Sequence, residues 1–151
     1  MQALCCQCIT NTLIKWAAAA SISSQVASVA ASLYEYEFDH TLSDEQKNAY
    51  LVQTLGYSAS AASLVLAISC SPKAGMSTAS GAFAFLAVSV GTGANLWEYF
   101  EAKPAVSHIT KLAFWSGITG LAGHMATGIL AVFSRCCILN QSKNTLLNDA
   151  S

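Results

Sequence analysis

The chain has 151 residues and a formal net charge of −1, and only 10% of its residues are Asp, Glu, Lys or Arg, whereas 54% are hydrophobic. A soluble globular protein is about 25% charged, so this composition excludes an ordinary water-soluble domain. It also excludes a nucleic-acid-binding protein, which would need a basic patch.

Four stretches without a charged residue cover 16–34, 48–72, 74–97 and 112–134, with lengths of 19, 25, 24 and 23 residues. A membrane-spanning helix needs roughly 20 mostly apolar residues. A soluble Ala/Ser-rich bundle is the alternative, but each of its helices would need a charged outer face, which the stretches lack. We therefore predict an all-α, four-helix transmembrane bundle with short loops, which makes the chain a multi-pass integral membrane protein.

The first span is predicted at about 12–34 and is rich in Ala and Ser, with few large apolar residues. By itself it would insert only marginally, so we expect it to depend on its neighbours. A cleaved signal peptide is the alternative. The cysteine-rich segment before Lys15 and the interfacial pair Tyr34 and Tyr36 argue against cleavage.

The longest predicted loop, 35–49, begins with acidic and aromatic residues, and we expect a solvated acidic face there. Within it, Ser43 and Gln46 form a capping-box pattern for the helix of the second span, predicted at about 49–71. Pro and Gly in 71–75 indicate a tight turn into the third span, at about 75–99.

The fourth span is predicted at about 107–134, after a break at Lys103 and Pro104, with Ser107 as a candidate helix cap. Small residues recur at three- and four-residue spacing in spans three and four, a pattern by which membrane helices pack closely. Packing within the bundle is favoured over a dedicated dimer face. The predicted helix-packing glycines are Gly81, Gly91, Gly117, Gly120 and Gly128.

The charges predict the orientation. Lys15, Lys73, Arg135 and Lys143 share one side of the bundle, and the other side holds three lysines and seven of the eight acidic residues. Positive residues mark the cytoplasmic side, so we predict both termini in the cytosol and a single domain over 1–151, with cytosolic tails at 1–11 and 138–151. An aromatic belt is predicted from Trp16, Tyr34, Tyr36, Tyr50, Trp97, Tyr99 and Trp115.

All six cysteines fall on the predicted cytosolic side, which argues for reduced thiols rather than a disulfide framework. Membrane-proximal cysteines beside a basic residue suit S-palmitoylation. A metal site or a redox-active CxxC pair is a weaker interpretation, because adjacent cysteines fit zinc poorly and the CxxC lies in a predicted flexible tail. The lipidation candidates are Cys5, Cys6, Cys8, Cys136 and Cys137, and Cys70 is the sixth cysteine.

Four polar residues, Gln25, Gln53, Asn95 and His124, fall at or near membrane depth. The amides are expected to hydrogen-bond between helices. An intramembrane histidine is a functional candidate, although a neutral imidazole that bridges helices is the simpler interpretation of His124. A zinc or proton-sensing pair of His40 and His108 is a further possibility on the outer side.

No catalytic group, cofactor site or metal site is predicted. The chain has a single arginine, and the glycines near Gly91 lack the following lysine of a phosphate-binding loop. Two functions remain: a non-enzymatic tetraspan that assembles with itself or with other membrane proteins, or a subunit of an oligomeric pore or carrier lined by His124 and Ser/Thr-rich faces.

The paired spans over 48–97, joined by a tight turn, are similar in hydropathy outline to inclusion-membrane proteins of intracellular bacteria. This resemblance rests on no residue motif. It implies that both termini face a host cytosol, which agrees with the placement of the cysteines.

Overall fold

A computed structural model describes residues 2–39, 41–69, 78–101 and 108–149. These residues form four helices and no strand, which confirms the predicted all-α class. The helices are α1 (Gln2–Phe38), α2 (Asp44–Ser69), α3 (Thr78–Glu101) and α4 (His108–Asp149).

Three helical segments are long and apolar enough to cross a membrane: Asp44–Ser69, Thr78–Phe100 and His108–Cys136. They correspond to the predicted second, third and fourth spans. Helix α1 is not among them, because Ala and Ser replace large apolar residues along its centre. Its span at 12–34 therefore stays a prediction.

Helices α1 and α4 extend well beyond the predicted spans. Neither 2–38 nor 129–149 contains a Gly or Pro that would interrupt a helix. The N-terminal segment, which was predicted to be a flexible tail, is accordingly helical from Gln2.

The connection between α1 and α2 is held by local hydrogen bonds. Asp39 Oδ1 accepts from the backbone N–H of Thr41 at 2.9 Å and from its hydroxyl at 2.6 Å. The predicted capping box is confirmed: the Gln46 N–H donates to Ser43 Oγ and the Ser43 N–H donates to Gln46 Oε1. The predicted turn at 71–75, the break at 103–104 and the cap at Ser107 lie outside the described residues, as do His40 and Cys70.

The four helices are arranged in a ring. Helix α1 packs most extensively against α4, and α2 packs most extensively against α3, with further contacts between α1 and α2 and between α3 and α4. Buried positions recur every three or four residues along each helix. The end formed by the start of α1 and the end of α2 contains an apolar cluster: Ile14, Ala18, Leu64, Ala67, Ala84 and Ala131.

Towards the other end the interior is polar, and the exterior carries the large apolar side chains. Leu55, Phe133 and Trp115 are 69%, 62% and 62% exposed, whereas Gln25 and Gln53 are fully buried. Large contiguous apolar surfaces on a protein mark a contact with membrane or protein. A polar interior with large apolar side chains outside is the reverse of the pattern in a soluble protein. It agrees with a bundle surrounded by lipid.

Helices α2 and α3 approach most closely at Gly56 and Gly91. A Cβ on Gly56 would lie 2.8 Å from both the Gly91 nitrogen and the Ala87 carbonyl oxygen. Both obstacles are backbone atoms, so the helices would have to separate to admit even a methyl group. Gly91 was predicted as a packing residue, whereas Gly56 was not.

We predict that Gly56→Ala lowers the free energy of unfolding by about 1–3 kcal/mol, the usual cost of overpacking. Thermal unfolding of the purified protein in detergent micelles would measure it. Gly93→Ala is the matched control, because a Cβ there meets nothing within 4 Å and Ala favours a helix over Gly. Equal unfolding midpoints for Gly56→Ala and wild type would contradict the close approach.

Candidate functional site: the polar interior

One polar side chain from each helix meets at the end of the bundle where α1 and α3 finish and α4 begins. These four residues, Glu35, Tyr50, Glu98 and Thr110, are 7%, 1%, 1% and 4% exposed. We call them the carboxyl cluster. The four helices thus share one hydrogen-bonded contact.

The Tyr50 hydroxyl lies at the centre of the carboxyl cluster. It is hydrogen-bonded to Glu35 Oε2, and it lies 2.8 Å from Glu98 Oε1. The Thr110 hydroxyl lies 2.7 and 2.8 Å from the two oxygens of Glu35. The second oxygen of Glu98, Oε2, is buried with no partner among the described residues.

The two hydrogen bonds of the Tyr50 hydroxyl need two hydrogen atoms. A phenol has one hydrogen to donate and lone pairs to accept with. Two carboxyl groups bonded to one phenol therefore need a second proton, which one of the carboxyl groups supplies. The carboxyl cluster is thus a pair of carboxyl groups, at least one of them protonated, bridged by the Tyr50 hydroxyl.

The expectation of a solvated acidic face over 35–49 is wrong for Glu35, which is buried. Glu98, one of the acidic residues assigned to the outer side, is buried as well, and Tyr50 faces the interior rather than an aromatic belt. A signal was present in the spacing. On α1, Glu35 continues the buried series of Ser21, Gln25, Ser28 and Ser32, and on α3, Glu98 continues the series of Ala84, Val88 and Asn95. Helical periodicity, and not charge alone, indicates that both carboxyl groups face the interior.

We predict that Tyr50→Phe lowers the free energy of unfolding by about 1–3 kcal/mol, because it keeps the ring and removes the bridge between two buried carboxyl groups. Glu98→Gln should cost less, since an amide can still bond to the phenol. Tyr34→Phe, at a half-exposed tyrosine, is the control and should stay within about 0.5 kcal/mol of wild type. Equal losses at Tyr34 and Tyr50, measured by chemical denaturation in micelles, would refute the bridge.

Tyr57 fills the middle of the bundle. Its hydroxyl accepts from the Asn95 amide at 3.1 Å, and the same amide donates to the Ala113 carbonyl at 2.9 Å. A Cβ on Gly117 would overlap both the Tyr57 hydroxyl and the Asn95 amide. The predicted residues Asn95 and Gly117 therefore meet, across α3 and α4, at a tyrosine that sequence reasoning did not single out.

The predicted glutamines belong to different contacts. The Ser32 hydroxyl donates to Gln53 Oε1 at 2.8 Å and so links α1 to α2. Gln25 donates to Ser21 on its own helix, and the Ser21 hydroxyl donates in turn to the Gly120 carbonyl of α4 at 2.7 Å. Gly120 admits this contact, because a Cβ there would lie 2.9 Å from Gln25 Cγ.

His124 is buried on α4, against α3. Its ring lies close to the backbone of Gly81 and 6.1 Å from the ring of Phe85. Its Nδ1 is buried with no partner among the described residues. His124 thus lies at the contact between α3 and α4, and its role as a bridge between helices stays a prediction. The predicted packing role of Gly128 is not supported, because a Cβ there would meet nothing within 4 Å.

Of the candidate lipidation sites, Cys136 is exposed and carries a free thiol. The side chains of Cys5, Cys6, Cys8 and Cys137 are not described, although all four residues lie in helices. In the described part of the chain, no three His, Cys, Asp or Glu side chains converge as a metal site would require. Lipidation stays a prediction.

No protein-family model matches the chain, and no curated protein or solved structure is significantly similar to it. Its class therefore rests on its own fold and interior. In the described residues the chain is an all-α protein of four helices, three of which are long and apolar enough to cross a membrane.

Proposed function

We propose that the protein is a four-span, non-enzymatic membrane protein that assembles with itself or with other membrane proteins, with both termini in the cytosol. The observation that carries this proposal is the filled interior. Tyr57 is fully buried and bonded to Asn95 at the level where a central channel would have to pass. Because the interior of the bundle is filled by its own side chains, we expect the protein to act through its outer faces, which can contact other membrane proteins.

We propose that a partner helix packs against the outer face of α1. Ala19, Ser23 and Ala30 are exposed on this helix, together with the larger Val26, which is 57% exposed. Small residues let a second helix come close in lipid, where packing replaces the hydrophobic effect as the driving force. Packing against another helix would also offset the weak insertion of α1.

We predict that Ser23→Leu reduces association of the protein in bilayers by about fivefold or more, because a large side chain blocks close helix contact. Energy transfer between donor- and acceptor-labelled molecules in liposomes would measure association. Val65→Leu, on the exposed face of α2, adds bulk elsewhere and should leave the signal unchanged. A protein that is monomeric in wild-type form, both alone and in native membranes, would contradict the assembly role.

The proposed orientation has its own test. A membrane-impermeant thiol reagent applied to intact cells should label a cysteine introduced at Glu45, an exposed residue of the first turn of α2. The native cysteines should react only after the membrane is permeabilised. Labelling of Cys136, which is exposed on the fold, from outside intact cells would invert the proposed topology.

A pore or carrier subunit is the second candidate, and the carboxyl cluster favours it. Glu35 and Glu98 place two carboxyl groups inside the bundle, and ionisable residues within membrane proteins often mark ion or proton pathways. Gln53 and Asn95 are buried further towards the middle of the bundle, and His124 is buried further along α4. Because Tyr57 fills the centre of one chain, this function would require several chains or a change in packing.

Flux through liposomes separates the two functions. We expect no leak of ions or small solutes from pH 5 to 8 for wild-type protein, Glu98→Gln or His124→Asn. His124→Leu should only destabilise the fold, by about 0.6 to 2 kcal/mol, as the loss of one interhelical hydrogen bond in a membrane does. A wild-type leak that changes in both His124→Asn and Glu98→Gln would replace the assembly role with the pore.

A further inference from the structure

A groove runs between α3 and α4 on the outside of the bundle. Its cavity volume is about 550 Å³. Its wall consists of apolar side chains, chiefly Ala82, Phe85, Met125, Ile129, Val132 and Phe133. Gly81 and Gly128 add no side chain, and a Cβ on Gly128 would meet nothing within 4 Å. The missing side chain at Gly128 therefore helps to keep the groove open.

The two ends of the groove differ in chemistry. Arg135 and Thr78 lie at one end, where Arg135 Nη1 donates to Thr78 Oγ1 at 2.7 Å. His124, eleven residues earlier on α4, lies at the other end. At 1.5 Å per residue the groove is about 16 Å long.

These dimensions match one leaflet of a bilayer. The hydrocarbon core of a membrane is about 30 Å thick, so a groove of about half that length extends from the interface to the midplane. Arg135 is the charged residue that directly follows the uncharged stretch 112–134, which places its guanidinium at the headgroup level of the proposed bundle.

We propose that this groove binds one acyl chain of an anionic phospholipid, with the phosphate of the headgroup at Arg135. The inference rests on the proposed membrane-spanning arrangement. The apolar wall excludes a polar ligand along the length of the groove. A guanidinium binds phosphate through several N–H donors in a fixed plane, and basic pockets between membrane helices on the cytoplasmic side hold anionic headgroups.

The bond from Arg135 to Thr78 explains how the charge is positioned. Arg135 is the only arginine in the chain, and Thr78 begins α3. Their hydrogen bond ties the start of α3 to α4 across the mouth of the groove, and it holds the guanidinium beside the entrance. A fixed donor costs less ordering on binding than a mobile side chain.

Two variants separate the parts of the site. Gly128→Leu places a side chain in open space within the groove, and Arg135→Gln removes the charge. Gly93→Leu is the matched control, because Gly93 also has open space at its Cβ and is not among the residues that line the groove. Wild-type protein and each variant would be incubated with phosphatidylglycerol or phosphatidylcholine of identical chains, and retained lipid counted by native mass spectrometry.

We expect wild-type protein and Gly93→Leu to retain one phosphatidylglycerol in preference to phosphatidylcholine. Gly128→Leu should lose retention of both lipids. Arg135→Gln should weaken phosphatidylglycerol binding on the order of fivefold, in line with the contribution of one basic residue near a membrane surface, and bring it to the level of phosphatidylcholine.

Three results would overturn the proposal: no retained lipid in wild type, equal retention in Gly128→Leu and Gly93→Leu, or no preference for the anionic lipid. A covalent acyl mass on Cys136 that prevents lipid retention and disappears in Cys136→Ser would assign the groove to the acyl chain on Cys136 instead.

A parallel experiment extracts membranes that contain the protein with alkaline carbonate. Release of the protein would refute the membrane-spanning function itself, whereas membrane-bound protein without lipid would refute the groove alone.

Discussion

The hydrogen bonds of the carboxyl cluster hold all four helices at one end of the bundle. Glu35, Tyr50, Glu98 and Thr110 each come from a different helix. A buried carboxyl group without partners is costly in a protein interior and more so within a membrane. Each of these side chains therefore depends on the others, and separating one helix would leave carboxyl oxygens unbonded.

The same dependence continues along the interior. Ser28 and Asn95 both donate to the Ala113 carbonyl, at 2.9 Å each, so a single backbone oxygen connects α1, α3 and α4. Ser21 reaches the Gly120 carbonyl in a similar way. These contacts require close backbones, which Gly117 and Gly120 provide. Hydrogen bonding and small residues thus act together, because short polar side chains reach a neighbouring helix only where the helices nearly touch.

The groove between α3 and α4 differs from the rest of the helix packing. Between α2 and α3, backbones meet at Gly56 and Gly91 and no space remains for a methyl group. Along α3 and α4 at the opposite end of the bundle, Gly128 faces open space, and Arg135 reaches across to Thr78. The bundle has an unfilled apolar surface at this place, and the single arginine of the sequence is at its rim. In a bilayer, the acyl chains of neighbouring lipids are the apolar groups that can fill this surface.

The sequence by itself determined the class of the protein. Low charge, four uncharged stretches and the Ser43–Gln46 cap depend on local composition and spacing, and they predicted an all-α chain and the start of α2. Gly91, Gly117 and Gly120 were also predicted as packing residues from their spacing alone. The partners of these glycines were not predictable, because Gly56 and Tyr57 lie on another helix, and only the fold decides which helices adjoin.

The tertiary structure decided the environment of each charge. Glu35 and Glu98 lie next to the predicted ends of their spans, where the sequence leaves both solvent and interior open to a carboxyl group. The rotation of α1 and α3 about their axes turns both residues inwards, and Tyr50 from α2 meets them there. The rotation of each helix is set by its packing against its neighbours, because α1 contacts both α2 and α4, and α3 contacts the same two helices. Burial of the carboxyl groups is therefore a property of the assembled bundle and not of any one segment.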